Sequence, residues 1–232
     1  MERLPQELLQ LIIEYLDPHS LGRSGLVNQQ WRCLSQQVLH SRSLVLSGNV
    51  KLSSLDAAQR VLTVAIEGNF IIDEVVNFRM PRLSRIAGNV SGCTALTSVD
   101  GMSALTAVGG NLYLGGCTAL TSVDGMSALT AVGRNLYLGG CTALTSVGAL
   151  GARSALTTVG GHLYLEGCKA LTSVDGMSAL TTVGGHLWLN GCTALSSVDG
   201  MSALTTVGGG LYLSGCTALT SVDGMSALTT VG

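Results

Sequence analysis

The sequence predicts an α+β chain: a small N-terminal helical domain followed by a right-handed parallel β-solenoid of 24-residue coils. Three observations predict it. Cysteines at 93, 117, 141, 168, 192 and 216 recur at steps of 24, 24, 27, 24 and 24 residues, and a period of 20 to 50 residues marks a solenoid. Each unit carries only short Leu-, Val- and Thr-rich clusters, with no helix-length run. Ahead of the repeats, Leu8, Leu9, Ile12, Ile13 and Leu16 fall on one face of a helix.

Charge divides the chain in the same place. Residues 1 to 92 hold 9 of the 12 Lys and Arg and 8 of the 14 Asp and Glu. The resulting division is a helical domain over 1–40, a connector and N-terminal cap over 41–92, and the solenoid over 93–232. A net charge of −2 gives no field that would favour nucleic acid or an anionic membrane. Met1-Glu2-Arg3 opens directly into the helix, and Gln10 and Glu14 interrupt the apolar run. Neither a signal peptide nor a spanning segment is expected, which makes cytoplasm or nucleus the expected location.

Within the first domain, Pro5 suits the first helical turn and Glu7 lies near the positive helix end. Asp17-Pro18 stops the helix. A second helix from about residue 20 to 37 presents Leu21, Val27, Trp31, Leu34 and Val38. Two such helices cannot bury their apolar faces alone and need a partner or a neighbouring domain.

The order of these signals, a Leu-Pro start, an apolar helix, an Asp-Pro break, a Leu and then Val-x-x-x-Trp-Arg over residues 4 to 36, resembles an F-box. The resemblance implies docking onto the Skp-family adaptor of cullin-RING ubiquitin ligases, and through it onto a cullin. Carried over residue by residue, it implies an adaptor-binding set of Leu4, Pro5, Leu8, Leu9, Ile12, Leu16, Leu21, Val27 and Trp31. Gly22 and Gly25 stand where the family prefers apolar helix formers, each at a cost of roughly 1 kcal/mol of helix stability. On residues alone, the same segment also reads as an amphipathic helical hairpin capping the repeats.

In the connector, Ser54 to Ile66 shows an N-cap followed by a short helical pattern. The stretches Val75-Val-Asn-Phe78 and Leu83-Ser-Arg-Ile86 look like a degenerate first coil.

The unit from Asn111 to Arg134 shows the repeat plainly. Its apolar clusters Leu112-x-Leu114, Leu120-x-x-Val123 and Leu129-x-x-Val132 are separated by Gly-Gly, Asp-Gly and Gly-Gly-Cys-Thr turns. Three short strands or extended segments per coil are predicted. The one 27-residue step reflects a three-residue loop insertion within Gly148 to Ser154. Leu-x-Leu-x-x-Cys-x-x-Leu fits the leucine-rich-repeat core, and the whole unit resembles the receptor-L-domain-like repeats, β-helical relatives of that family.

The cysteines occupy the place of the asparagine ladder of ordinary leucine-rich repeats. Stacked coils bring them roughly 4.8 Å apart, within disulfide reach. An odd total of seven, side chains pointing the same way and a reducing compartment favour free, buried thiols. No Cys-x-x-Cys or mixed Cys and His cluster points to a metal, and no cofactor motif is present. His162 and His186, equivalent in adjacent coils, read as solvated turn histidines in preference to a two-ligand metal pair. The aspartates at 100, 124, 175, 199 and 223 each precede Gly and read as turn residues. No nucleophile-base pair is visible, so an enzyme is not expected.

The outward face supplies the binding candidates. Alternation in Leu112-Tyr113-Leu114 buries the leucines and turns the tyrosine out, and later coils repeat it with Tyr137, Tyr164, Trp188 and Tyr212. With the flanking His186 and Asn190, these residues form the expected substrate-binding set. The alternative is a ladder of rings that only stabilises the solenoid.

The expected function is therefore substrate recognition within a Skp-cullin-F-box ubiquitin ligase, with an unknown protein as substrate and no nucleic acid or membrane partner. The alternatives are a structural or adhesive protein-binding solenoid and, more remotely, ice or mineral binding by Thr121, Thr145, Thr172 and Thr220, which form single columns. The sequence stops at Val231-Gly232 directly after an apolar cluster. It thus carries the expectation of an uncapped C-terminal coil, covered by self-association or left by truncation of the array.

Overall fold

A computed structural model describes residues 43–55, 59–60, 63–73, 79–92, 94–148 and 156–232. The expected helical head, residues 1–40, lies outside them.

Each coil contributes two short strands. They are β1 (Leu44–Leu46), β2 (Val50–Lys51), β3 (Thr63–Ile66), β4 (Phe70–Ile71), β5 (Arg85–Ile86), β6 (Val90–Ser91), β7 (Ala107–Val108), β8 (Leu112–Tyr113) and β9 (Ala131–Val132). There follow β10 (Leu136–Tyr137), β11 (Thr158–Val159), β12 (Leu163–Tyr164), β13 (Thr182–Val183), β14 (Leu187–Trp188), β15 (Thr206–Val207), β16 (Leu211–Tyr212) and β17 (Thr230–Val231). Among the described residues the odd-numbered strands form a nine-stranded sheet and the even-numbered strands an eight-stranded one, each in chain order. All pairs are parallel, and equivalent residues face each other: Leu136 with Leu112 and Leu163, Val183 with Val159 and Val207. Repeated parallel strands at this regular spacing are those of a repeat solenoid.

The side chains that repeat along the chain stack into one apolar core. Leu163, Leu165, Cys168, Leu171, Val174, Met177, Leu180 and Val183 of a single coil are all fully buried. Burial of this kind contributes about 25 cal/mol per Å² of apolar surface, and it supplies what two-residue strands cannot.

Two of the three apolar clusters predicted for each coil form strands. The middle one, Leu120-x-x-Val123 and its equivalents, does not: among the described residues it makes isolated bridges from Ser146 to Ser122 and Ser173 and a backbone bond from Ser196 N–H to the Thr172 carbonyl. The reason is local. The hydroxyl of Ser197 accepts the backbone N–H of Asp199 at 2.9 Å, a serine turn that bends the chain into the 3-10 turn Asp199–Met201. Ser98, Ser122, Ser173 and Ser221 do the same ahead of their own Asp-Gly-Met turns.

The connector differs from its sequence reading. The ladders begin at Leu44, so both sheets run through 44–91 before Cys93 is reached. The helical pattern expected from Ser54 through Ile66 ends early, because Thr63–Ile66 is strand β3, paired with β1 and β5. Local pattern yields there to two flanking strands and to burial of Thr63 and Ile66. Val75 to Phe78 lies outside the described residues, whereas Arg85–Ile86 is strand β5, as the degenerate-coil reading required.

Candidate functional site

The aromatic positions sit at the second residue of β8, β10, β12, β14 and β16, where alternation with buried Leu112, Leu136, Leu163 and Leu187 turns them outward. In-register pairing places each ring over the next. Tyr113 and Tyr137 stack at 4.7 Å between centroids, Tyr137 and Tyr164 at 4.4 Å, Tyr164 and Trp188 at 6.2 Å, and Trp188 and Tyr212 at 4.2 Å. Interior rings are half-buried, while Tyr113 and Tyr212 at the ends are 39% and 37% exposed. Ring faces are consumed by neighbouring rings, so the column presents ring edges outward. Burial, and then the neighbouring Tyr137, push the Tyr164 phenol up from its ordinary range.

Beside this column runs a second one. The side-chain oxygen of Asn89 accepts the backbone N–H of Asn111 at 2.7 Å. Asn111 does the same for Asn135, and Asn135 for His162. The next two rungs change chemistry: His162 Nδ1 accepts the N–H of His186, and His186 Nδ1 that of Gly210, both at 2.7 Å. The two imidazoles stack at 4.9 Å and 6° between planes. These histidines are thus part-buried rungs and not the solvated turn residues expected. Their edges also meet the aromatic column, His186 against Trp188 at 5.8 Å and Tyr212 at 5.6 Å.

On the other side of the rings, Asn190 accepts the N–H of Ser214 at 3.0 Å. One coil earlier, the Glu166 carboxylate fills the space left by the missing side chain of Gly139, where an added Cβ would lie 2.4 Å from Oε1. Glu166 Oε2 and Trp188 Nε1 are buried and make no hydrogen bond to described residues. The structure therefore gathers the predicted set Tyr113, Tyr137, Tyr164, His186, Trp188, Asn190 and Tyr212 on one face. His162 and Glu166 join them there; their rung and filling roles involve the backbone of neighbouring coils, which the sequence does not display.

The cysteines form an inner ladder of free thiols. Each of Cys141, Cys168, Cys192 and Cys216 donates its S–H to a leucine carbonyl one coil back, at 3.1 to 3.2 Å. Burial pushes Cys168 up to about 12 and Cys192 up to about 11. Cys168 and Cys192 are thus neutral packing groups, whereas a side-chain hydrogen bond from Cys117 lowers the Cys141 thiol from its ordinary range. No cluster of three metal-ligating side chains occurs among the described residues, and no described helix is long and apolar enough to cross a membrane.

The adaptor set of Leu4, Pro5, Leu8, Leu9, Ile12, Leu16, Leu21, Val27 and Trp31 lies outside the described residues. No curated protein matches the chain. The first part of the chain, residues 1–46, matches the family model described as F-box-like.

Proposed function

We propose that this chain is the substrate-recognition subunit of a Skp-cullin-F-box ubiquitin ligase. The observation that carries the reading is the F-box-like match over residues 1–46, since F-box domains generally bind Skp-family adaptors. On this reading the chain is α+β: residues 1–40 form the helical F-box, and the repeats continue as a right-handed solenoid. Leu8, Leu9, Ile12 and Trp31 belong to the apolar surface that meets the adaptor, and a cullin is reached through it. The solenoid holds a target protein against the face bearing Tyr137, Tyr164 and Trp188. The chain itself catalyses nothing and needs no cofactor; it raises the effective concentration of target near an enzyme recruited elsewhere, in cytoplasm or nucleus.

Leu8→Asp combined with Ile12→Asp tests the reading. Two carboxylates placed in an apolar contact should abolish copurification of a Skp-family adaptor with the full chain. Adaptor retained at the wild-type level by the double variant would refute it.

One observation favours a second reading, a structural or adhesive solenoid without a ligase role. The rings of the outward column stack continuously, and such a stack stabilises the coils whether or not anything binds. Absence of adaptor binding by the wild-type chain would favour that alternative.

A further inference from the structure

The rung column supports six consecutive coil junctions, from Asn69 to Gly210, with the same bond geometry, but only two of them can be switched. An amide oxygen, as in Asn89, Asn111 and Asn135, accepts a hydrogen bond at any pH near neutrality. An imidazole nitrogen accepts only while it lacks a proton. The 2.7 Å bonds from the N–H of His186 to His162 Nδ1, and from the N–H of Gly210 to His186 Nδ1, fix both rings as the tautomer with hydrogen on Nε2. A proton added at Nδ1 would face an N–H donor. It would also place two cations in rings stacked at 4.9 Å.

We propose that His162 and His186 form an acid-sensitive hinge in the solenoid, at which falling pH releases the coil junctions from β12 to β16 while the asparagine junctions before them stay closed. The groups around the pair do not cancel this effect. Tyr164 meets His162 edge-on at 5.5 Å, and Trp188 and Tyr212 meet His186; none carries a charge near neutrality. Asn135 is the neutral rung before the pair, and Gly210 offers only backbone after it. The charged side chains nearest along the coils are Arg134, beside Asn135, and Glu166, two residues beyond Tyr164. The first opposes protonation and the second favours it.

The sign follows from the geometry. The bonds need neutral rings, so their contribution is present while both Nδ1 atoms lack a proton and is lost when acid adds one. The solenoid therefore has two sections under mild acid, with the break lying inside the aromatic face.

Amide hydrogen exchange on the full chain at pH 7.5 and pH 5.0, expressed as protection factors to remove the intrinsic pH dependence, tests the hinge. Protection of the His186 and Gly210 amides should fall about tenfold or more at pH 5.0. Protection of the Asn111 and Asn135 amides should hold. The variant His162→Asn/His186→Asn keeps an acceptor at both rungs and should abolish the difference while remaining folded. Equal protection of His186 and Gly210 at both pH values would overturn the proposal, as would an equal loss in wild type and the Asn variant. A variant that failed to fold would leave the wild-type comparison to decide. Side-chain nitrogen shifts at pH 7.5 supply an independent check, since hydrogen on Nδ1 of either ring would overturn it too.

Discussion

The coils before Cys93 and those after it share two sheets but almost no sequence. Successive asparagine rungs are 20 residues apart from Asn69 to Asn89, 22 from Asn89 to Asn111 and 24 from Asn111 to Asn135. The step from Asn135 to His162 is 27. Strand pairing stays in register from β4 to β12 across these steps. The difference teaches that two strands and one side-chain acceptor define a coil. The rest of its perimeter, where the Asp-Gly-Met turn sits in later coils, is free to change length.

If the early coils are full members of the array, breaking their core should cost as much as breaking the later one. Phe70 is fully buried, and Phe70→Ala should lower stability by about 4 kcal/mol in denaturant titration. A loss below about 1 kcal/mol would reduce the early coils to a loose cap. Crowding at the turns depends on the position within a coil and not on the region, since an added Cβ at Gly68 in an early coil would also run into the Gly48 carbonyl. A Cβ at Gly200 would stand 2.1 Å from the Val174 carbonyl oxygen, so Gly200→Ala should cost about 3 kcal/mol. Gly48, in an early coil, has φ of +81° but nothing within 4 Å of an added Cβ. Gly48→Ala should therefore cost only the left-handed strain of about 1 kcal/mol. Equal effects would erase the contrast in crowding.

The aromatic column exists only from Tyr113 onward; its place is Lys51, Ile71 and Ser91 before that. Trp188→Ala removes two stacked contacts and should cost about 2 kcal/mol. A melting temperature equal to wild type would deny the column any stabilising part. The smallest effect concerns the thiol ladder, which the early coils lack. A folded thiol raised to about 11 or 12 contributes stability that is complete below the unfolded value near 9. That contribution is lost as pH rises through the folded value, so alkaline melting should steepen between about 9 and 12. Cys168 and Cys192 should stay unlabelled by a thiol reagent at pH 8 until the chain unfolds. Rapid native-state labelling of either would count against their burial.

Much of the later array was legible because its chemistry is repeated. The cysteine period, the inward leucines and valines and the outward tyrosines are all visible as side-chain type against position. What escaped was whatever works through the backbone. His162 and His186 read as solvated turn residues, yet with Asn111 and Asn135 they perform one task, offering an acceptor to the next coil's N–H. Gly200 read as a turn residue, while the structure shows close approach of backbone as the stronger demand. The early coils were read as a connector because they lack the cysteine and the Asp-Gly-Met turn. Their strand β3 was hidden under a helical pattern that only neighbouring strands could override.

The in-register stacking of near-identical coils has a consequence for how such a chain changes over generations. Any coil meets its neighbours through the same two strand pairs, so an in-frame duplication or deletion of one coil leaves every other pairing intact. Recombination between the repeats can thus lengthen or shorten the ring-bearing face by whole steps. The reach of that face becomes an inherited length, set by copy number and not by point substitution.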